Sequence, residues 1–265
     1  MPSPENQDGS PVILRRDGAI ARIQFNRPAA LNAVDVPTAT ALRDALAQVE
    51  RDASLRAVVL SGAGRAFAAG GDLAVLRENP VQGAEALLGP LNEAAEIMAR
   101  LDAPVIAQVH GVAAGAGMSL MLHADFIIAA AGTKLNLAYI NLGTNCDVGA
   151  SWALPRLVGL RHALAIAMLG DAMTAEEAQA MGLINRVVPA GQLQTEVDAL
   201  ALRLAEGPTR ALGRMRRLMR ESFDRDLPQQ LQAEKIAFCE CAATEDFRSG
   251  VEAFYARKPA QFKGR

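Results

Sequence analysis

Aromatic residues are scarce in this 265-residue chain, 4% with a single Trp and two Tyr, so its core must be built from Ala, Leu and Val. Cysteine is scarce too: there are three, an odd count, and Cys239 and Cys241 sit two apart on an expected helix, where they point to different sides and cannot pair. A reducing, cytoplasmic setting fits that usage. The three His (His110, His123 and His162) show no ligand spacing with these Cys, so no metal site is expected. No unbroken apolar run reaches membrane-spanning length, and no membrane partner is expected. The polar opening MPSPENQDGS lacks an apolar stretch of signal-peptide type, so residues 1–10 read as a disordered leader. Charge excess is also missing: 27 Lys and Arg against 29 Asp and Glu leave a net charge of -2, with no electrostatic reason to expect nucleic acid as the main partner.

What is present is a globular composition, 51% hydrophobic, with a mean hydropathy of +0.12 and enough length for one large core or a core plus a helical appendage. Ile20 to Phe25 alternates as a half-buried strand, and Pro37 to Asp52 places Leu42, Ala45, Leu46 and Val49 on one helical face. Strands are expected at Ala57–Leu60, Pro104–Val109, Phe126–Ala130, Lys134–Asn136 and Ile184–Val188. Helices are expected at Ala84–Leu101 and Ala116–His123, from Trp152, and from a capping box at Thr174–Glu177 to Gly182. The stretch Leu76–Leu88 has no clear periodicity. Strand and helix alternate up to Pro189, which predicts an α/β core over residues 11–189 and a helical C-terminal region over 190–265. One of those helices crowds Arg210, Arg214, Arg216, Arg217, Arg220 and Arg225. That crowding reads first as a solvated face or subunit contact, and otherwise as a dock for an anionic nucleotide or RNA.

Two glycine-rich turns organise the chain. GAGRAFAAGGDL (Gly62–Leu73) follows the apolar run ending at Leu60, and HGVAAGAGMSL (His110–Leu120) follows the one ending at Val109. Neither fits a phosphate loop: Gly71 is followed by Asp72 where the Walker pattern needs Lys, and the dinucleotide pattern lacks its third Gly. Two such turns can aim main-chain N–H groups at one oxygen, which is the requirement for an oxyanion hole.

Together FNRPAALNAV (Phe25–Val34), AFAAGGDL (Ala66–Leu73) and HGVAAGAG (His110–Gly117) resemble the crotonase superfamily of enoyl-CoA hydratases and isomerases, over a likeness running from about Pro11 to the closing FYARKPAQFKG. The resemblance implies the crotonase (ClpP/crotonase-like) α/β spiral of ββα units with a helical C-terminal trimerisation region, in a homotrimer or dimer of trimers. It implies an acyl-CoA thioester substrate, with coenzyme A as part of that substrate and no permanently bound cofactor. By motif position the oxyanion donors are Gly71 and Ala116. The segment holding Ala30, Asn32 and Ala33, and the one holding Ala68, Ala69, Gly70, Asp72 and Leu73, are implied to pass along the CoA. Lys258 matches the C-terminal segment that approaches the nucleotide phosphate, with a solvated lysine as the plain alternative; Arg27 stands in the same position. Asp72 by itself reads first as a turn residue bonded to backbone and only then as an acidic catalyst, and His110 reads as a hydrogen-bonded packing residue.

The two glutamates of family hydratases fall here on Ser119 and Tyr139, neither a carboxylate. Asp147, in TNCDVGASWALPR, resembles the aspartate of double-bond-shifting members, including epoxyphenylacetyl-CoA isomerases. As a bare residue it reads equally as a helix-capping aspartate. The resemblance makes it a proton shuttle, and the expected activity is enoyl-CoA isomerisation. The alternatives are an enoyl-CoA hydratase of fatty-acid or aromatic-acid degradation and a non-catalytic acyl-CoA-binding or assembly protein. A nucleophilic aspartate of aryl-CoA dehalogenase type is disfavoured because Gly89–Leu101 holds neither His nor Trp. Tyr139 and Cys146 read as pocket or core.

Overall fold

A computed structural model describes residues 9–265 of the chain. Residues 1–8 of the expected leader lie outside the described residues, while Ser10 already belongs to the fold, its carbonyl accepting from Asn26 Nδ2 at 3.0 Å.

The chain opens with an antiparallel hairpin, β1 (Val12–Asp17) and β2 (Ile20–Phe25). Helix α1 (Val36–Arg51) follows, capped by Asp35, whose side chain accepts from Thr38 N at 2.9 Å. Such a cap contributes about 1 kcal/mol. The apolar face expected from the sequence is the buried one, with Leu42, Ala45, Leu46 and Val49 inside. Strand β3 (Ala57–Gly62) then leads to α2 (Ala74–Glu78) and α3 (Pro80–Arg100). Here the structure corrects the sequence reading, because the stretch Leu76–Leu88 is helical on both sides of Asn79, ending α2 and opening α3 at Pro80. Proline is well suited to the first turn of a helix, where its missing N–H has no partner to lose, and the exposed outer face of this segment leaves few apolar positions to reveal its period.

The next units run β4 (Val105–Val109), β5 (Val112–Ala114), α4 (Gly115–Met121) and then β6 (Phe126–Ala130), β7 (Lys134–Asn136), α5 (Ala150–Leu169). In each, the first strand joins a six-stranded sheet of order β1-β2-β3-β4-β6-β9 and the second a three-stranded sheet, β5-β7-β8. Strand β8 (Met173–Thr174) leads into α6 (Ala175–Ala180), and β9 (Arg186–Val188) closes the large sheet. The capping box at Thr174 and Glu177 is formed as read from the sequence. Beyond β2 the large sheet is parallel, and its inner strands β3, β4 and β6 are mostly buried and read as continuous apolar runs, while the edge strand β9 exposes Arg186.

After β9 come α7 (Leu193–Ala205), α8 (Thr209–Glu221), α9 (Leu227–Ala242) and α10 (Glu245–Ala256). Helix α7 lays Leu193, Val197, Ala201 and Ala205 against Val59, Ile106 and Ile128 of the sheet. Arg216 and Arg220 anchor α8 to the core, whereas Arg210 is exposed, Arg214 pairs with Glu240 at the surface, and Arg225, expected on the same helix, lies beyond its end and pairs back to Glu221. Arg216 forms an ion pair with Asp125 at 2.7 Å, its side chain 7% exposed, and donates to the carbonyls of Leu101 and Met98. Arg220 reaches Asp125 at 3.0 Å and the His123 carbonyl at 2.8 Å, and Arg217 reaches Asp102 at 2.8 Å. The Arg216 and Arg220 charges, both paired with the nearly buried Asp125, dock the helix and are not free for phosphates. Breaking such a buried pair costs about 3–5 kcal/mol.

Helix α5 is long and apolar enough, by length and composition, to cross a membrane, but Gly159 breaks its backbone with φ 74° and ψ 161°. It also carries Arg156, Arg161 and His162.

Candidate active site

The family motif Phe25–Val34 lies alongside the first glycine turn. Val34 N donates to Gly70 O and Asp72 N to Val34 O, both at 2.8 Å, while Ala69 N donates to Leu31 O at 3.0 Å. This parallel bridge between Val34 and Gly71 uses the groups on either side of Gly71, so its own N–H points to the other side. Side chains lock the arrangement. Asn32 is fully buried; its Oδ1 accepts from Arg27 N at 2.9 Å and its Nδ2 donates to Ala63 O and Ala66 O at 2.9 and 2.7 Å. Arg27 donates to Ala33 O and pairs with both Asp72 and Asp35, at 3.2 and 3.3 Å. Asp72 also accepts from Ala74 N at 3.2 Å. Asn32, Arg27 and Asp72 are therefore fastenings between two segments, and the side-chain capacity of Asn32 is used within the fold. Ala30 is exposed and Ala33 half-buried beside them.

The second glycine turn packs against the first. Ala68 pairs with Ala113, and Ala114 N donates to Ala68 O at 2.9 Å. Gly70 has φ 110°, a conformation closed to most side chains, and a Cβ there would stand 3.2 Å from Ala114 O. A Cβ on Gly117 would stand 2.4 Å from Ala68 O and 2.6 Å from Ala68 Cβ. Backbone thus meets backbone where the two turns cross. Ala116 is the second residue of α4, a position whose N–H lacks an intrahelical acceptor, and no side chain among the described residues caps this helix end. Leu73 is half-exposed at the entry to α2. His110 Nε2 bonds to Gly64 O at 2.9 Å, holding the two turns together.

One helical turn into α4, Ser119 is fully buried, and its Oγ lies 3.0 Å from the Tyr139 hydroxyl. Tyr139, in a 3-10 turn at Tyr139–Leu142, donates in turn to Asp147 Oδ1. The two positions where family hydratases carry glutamates are thus hydrogen-bonded, in series, to the one carboxylate. Burial raises the Asp147 carboxyl above the ordinary aspartate value, opposed by the hydrogen bonds from Tyr139 and its own backbone. Burial first, and the Asp147 charge second, push the Tyr139 phenol far up, so it remains a donor. The Asp147 loop is pinned by His123, whose Nε2 bonds to Val148 O at 2.7 Å. Burial lowers the His123 pKa, which keeps the ring neutral, and the Arg220 charge adds to this.

The sequence reading placed Ser119, Tyr139 and Asp147 separately and missed that they form one chain. Nothing in their spacing reports it, because the contact depends on how α4 packs against the loop after β7. Helix α5 begins at Ala150, two residues before the expected start, with Gly149 as its cap at φ 72°. Asp147 lies outside that helix and accepts from Tyr139, so its carboxylate is not spent on the helix end. Cys146 packs half-buried against the core. Lys258 is exposed, and the tail beyond it folds onto α10 and α8: Lys263 N and Gly264 N donate to Asp246 at 2.6 and 2.8 Å. Among the described residues no hydrogen bond joins Lys258 to the Ala30–Ala33 or Ala68–Leu73 segments. Among the described residues, too, no group of three or more His, Cys, Asp or Glu is placed to hold a metal ion.

Comparison with known proteins agrees with the motifs. Residues 15–265 match the family model described as enoyl-CoA hydratase/isomerase. The 1,2-epoxyphenylacetyl-CoA isomerase of Escherichia coli (strain K12) is 36% identical over 96% of this chain and 98% of its own length. The crotonyl-CoA hydratase of Syntrophomonas wolfei is 31% identical over 95% and 97%. Among solved structures, an enoyl-CoA hydratase/isomerase from Mycobacterium abscessus superposes with a TM-score of 0.91 at 35% identity, covering 96% of this chain and all of that one. Shared motifs, a near-complete match and a common fold lead to one conclusion: the chain belongs to the enoyl-CoA hydratase/isomerase family, the crotonase superfamily.

Proposed function

We propose that this enzyme shifts a carbon–carbon double bond in an acyl-CoA thioester. The observation that carries the reading is the half-buried carboxylate of Asp147, joined to Tyr139 and Ser119 where hydratases of the family hold glutamates. In the proposed reaction the N–H groups of Gly71 and Ala116 receive the thioester oxygen. Asp147 takes a proton from one carbon, the C–H electron pair passes into the enolate, and the proton is returned to a carbon two positions along while the double bond moves between them. The carboxylate is regenerated and no water enters. A half-buried carboxyl whose proton affinity is raised by desolvation suits both halves of that exchange. The backbone of Ala30, Ala33 and Ala68–Leu73 would meet the CoA portion.

The second reading is a hydratase in which Asp147 alone positions the water, favoured by the hydratase names among the relatives. Incubation with β,γ-unsaturated and α,β-unsaturated acyl-CoA esters separates the two. Isomerisation consumes the β,γ ester with no change of mass, whereas hydration of the α,β ester adds a water, and hydration as the faster reaction overturns the proposal. Tight binding without turnover on either ester would mark a non-catalytic binder.

We also infer a homotrimer or dimer of trimers. Leu157, Leu160, Leu164 and Met168 on α5 are exposed, as are Met215, Met219 and Phe223 after it. Between α5 and α8 lies a cavity of about 440 Å³ walled by Trp152, Leu157, Met215 and Phe223. Apolar surface of this extent is characteristic of subunit contacts. A sedimentation mass of three or six chains is expected, and a monomer would remove the inference.

A further inference from the structure

Tyr139 is held at both ends of its hydroxyl. The ring is buried, 8% exposed, and a buried phenol needs a partner for its O–H. An ionised carboxylate can only accept, so the Tyr139 O–H must donate to Asp147 Oδ1. That leaves the phenol oxygen as the acceptor for Ser119, whose Oγ is 3.0 Å away and fully buried. The direction of the chain is therefore fixed as Ser119 to Tyr139 to Asp147 whenever Asp147 is charged. Oδ1 thus accepts from the phenol, beside the bond that the carboxylate takes from its own backbone. No side-chain donor among the described residues reaches the other, Oδ2, so the two oxygens of Asp147 are unequal.

We propose that Tyr139 is a positioning residue which, backed by Ser119, clamps Asp147 through Oδ1 so that Oδ2 alone exchanges the proton with the substrate. This rests on the reading of Asp147 as the proton shuttle. The clamp has two effects. It restrains the carboxylate, since turning the second oxygen out of the site would break the bond at the first. It also stabilises the charged form of a group whose burial disfavours it, which keeps Asp147 competent as a base at lower pH.

Besides Tyr139, the only other group stabilising the Asp147 charge is its own backbone N–H, which neither variant below removes. Tyr139 comes from the 3-10 turn and Ser119 from α4. Across Val148 stand His123, kept neutral by burial, and Arg220 of α8, whose guanidinium is turned to the His123 carbonyl and Asp125. No Lys or Arg pairs with Asp147 among the described residues. A sequence pattern alone would treat Ser119 and Tyr139 as lost glutamates; the hydrogen bonds give them a different task.

The test is the titration of Asp147 itself, followed by carbon NMR of protein labelled at the aspartate carboxyl and assigned by the signal lost in Asp147→Asn. Tyr139→Phe removes one atom and keeps the ring. It should move the Asp147 midpoint up by about 1 to 2 pH units, the effect of removing a hydrogen bond to a charged group. Ser119→Ala should move it in the same direction by less. The acid limb of kcat/KM, where the base is protonated and lost, should shift upward by matching amounts. An unmoved midpoint in both variants overturns the proposal and leaves Tyr139 as packing. Should Asp147→Asn retain full turnover, the proposed reaction falls, yet the titration still decides what Tyr139 does to the carboxyl.

Discussion

Replacing Asp147 with Asn is expected to lower kcat for double-bond migration by about 10²- to 10⁴-fold, the range over which positioned acid–base groups act, while the affinity for a saturated acyl-CoA stays within about twofold, a change worth under 1 kcal/mol. The two halves separate because they draw on different parts of the site. Binding is assigned to backbone on the Ala30–Ala33 and Ala68–Leu73 segments, which the substitution leaves untouched. The proton transfer is assigned to one oxygen of one carboxylate. Asn is the right replacement, since its amide oxygen still accepts from Tyr139 and the loop stays pinned by His123 at Val148. Stability should change little, because burial already disfavours the charge that is removed. Turnover on a β,γ-unsaturated ester and calorimetric binding of the saturated one are the two measurements. Isomerase activity equal to that of the wild type would take Asp147 out of the mechanism, and a parallel loss of binding would make it a structural residue.

The pH dependence follows with a definite sign. A base must be ionised to take a proton, and burial raises the carboxyl above the ordinary aspartate value, so kcat/KM should fall off at higher pH than an exposed aspartate would dictate.

The elements that were legible in the sequence are those whose signal is local. The period of Leu42, Ala45, Leu46 and Val49 predicted the buried face of α1, and the Thr174–Glu177 box predicted the start of α6. Apolar runs at β3, β4 and β6 were visible because a parallel strand buried on both faces has no polar alternation to hide it. What was not legible depends on partners far along the chain. Helix α3 begins at Pro80 with a largely exposed first turn, which blurs its period. Strand β8, of two residues, carries too few side chains for any pattern, and β5 lies inside the second glycine-rich turn and reads as part of it. The side-chain partners of Asn32 were equally out of reach of the sequence, because Ala63 and Ala66 lie more than thirty positions away. The same separation hid the most informative contact. Ser119 and Tyr139 are twenty positions apart, and only the packing of α4 under the loop that carries Asp147 turns two missing glutamates into a clamp on the remaining acid.

The second large effect is expected at the crossing of the two glycine turns, where Gly117→Ala and Gly71→Ala should behave oppositely. A methyl on Gly117 would come within 2.4 Å of Ala68 O and 2.6 Å of Ala68 Cβ, distances no contact tolerates. Ala68 cannot yield alone, since its N–H and carbonyl are tied to Val112 and Ala114. The start of α4 must therefore move away from the first turn, carrying the Ala116 N–H with it. Loss of alignment with the Gly71 N–H should lower kcat by about 10²- to 10³-fold, as for one oxyanion donor, and overpacking should cost about 1–3 kcal/mol of stability. A methyl on Gly71 meets only Leu87 Cδ2 at 3.4 Å, an ordinary contact, and its backbone φ is not positive. The N–H is retained, so its stability should stay within about 0.5 kcal/mol of the wild type and turnover should persist. Urea unfolding and kcat on the same ester measure both variants. If Gly117→Ala loses stability but keeps kcat, the two amides do not share a thioester oxygen, and the site must be sought elsewhere on α4.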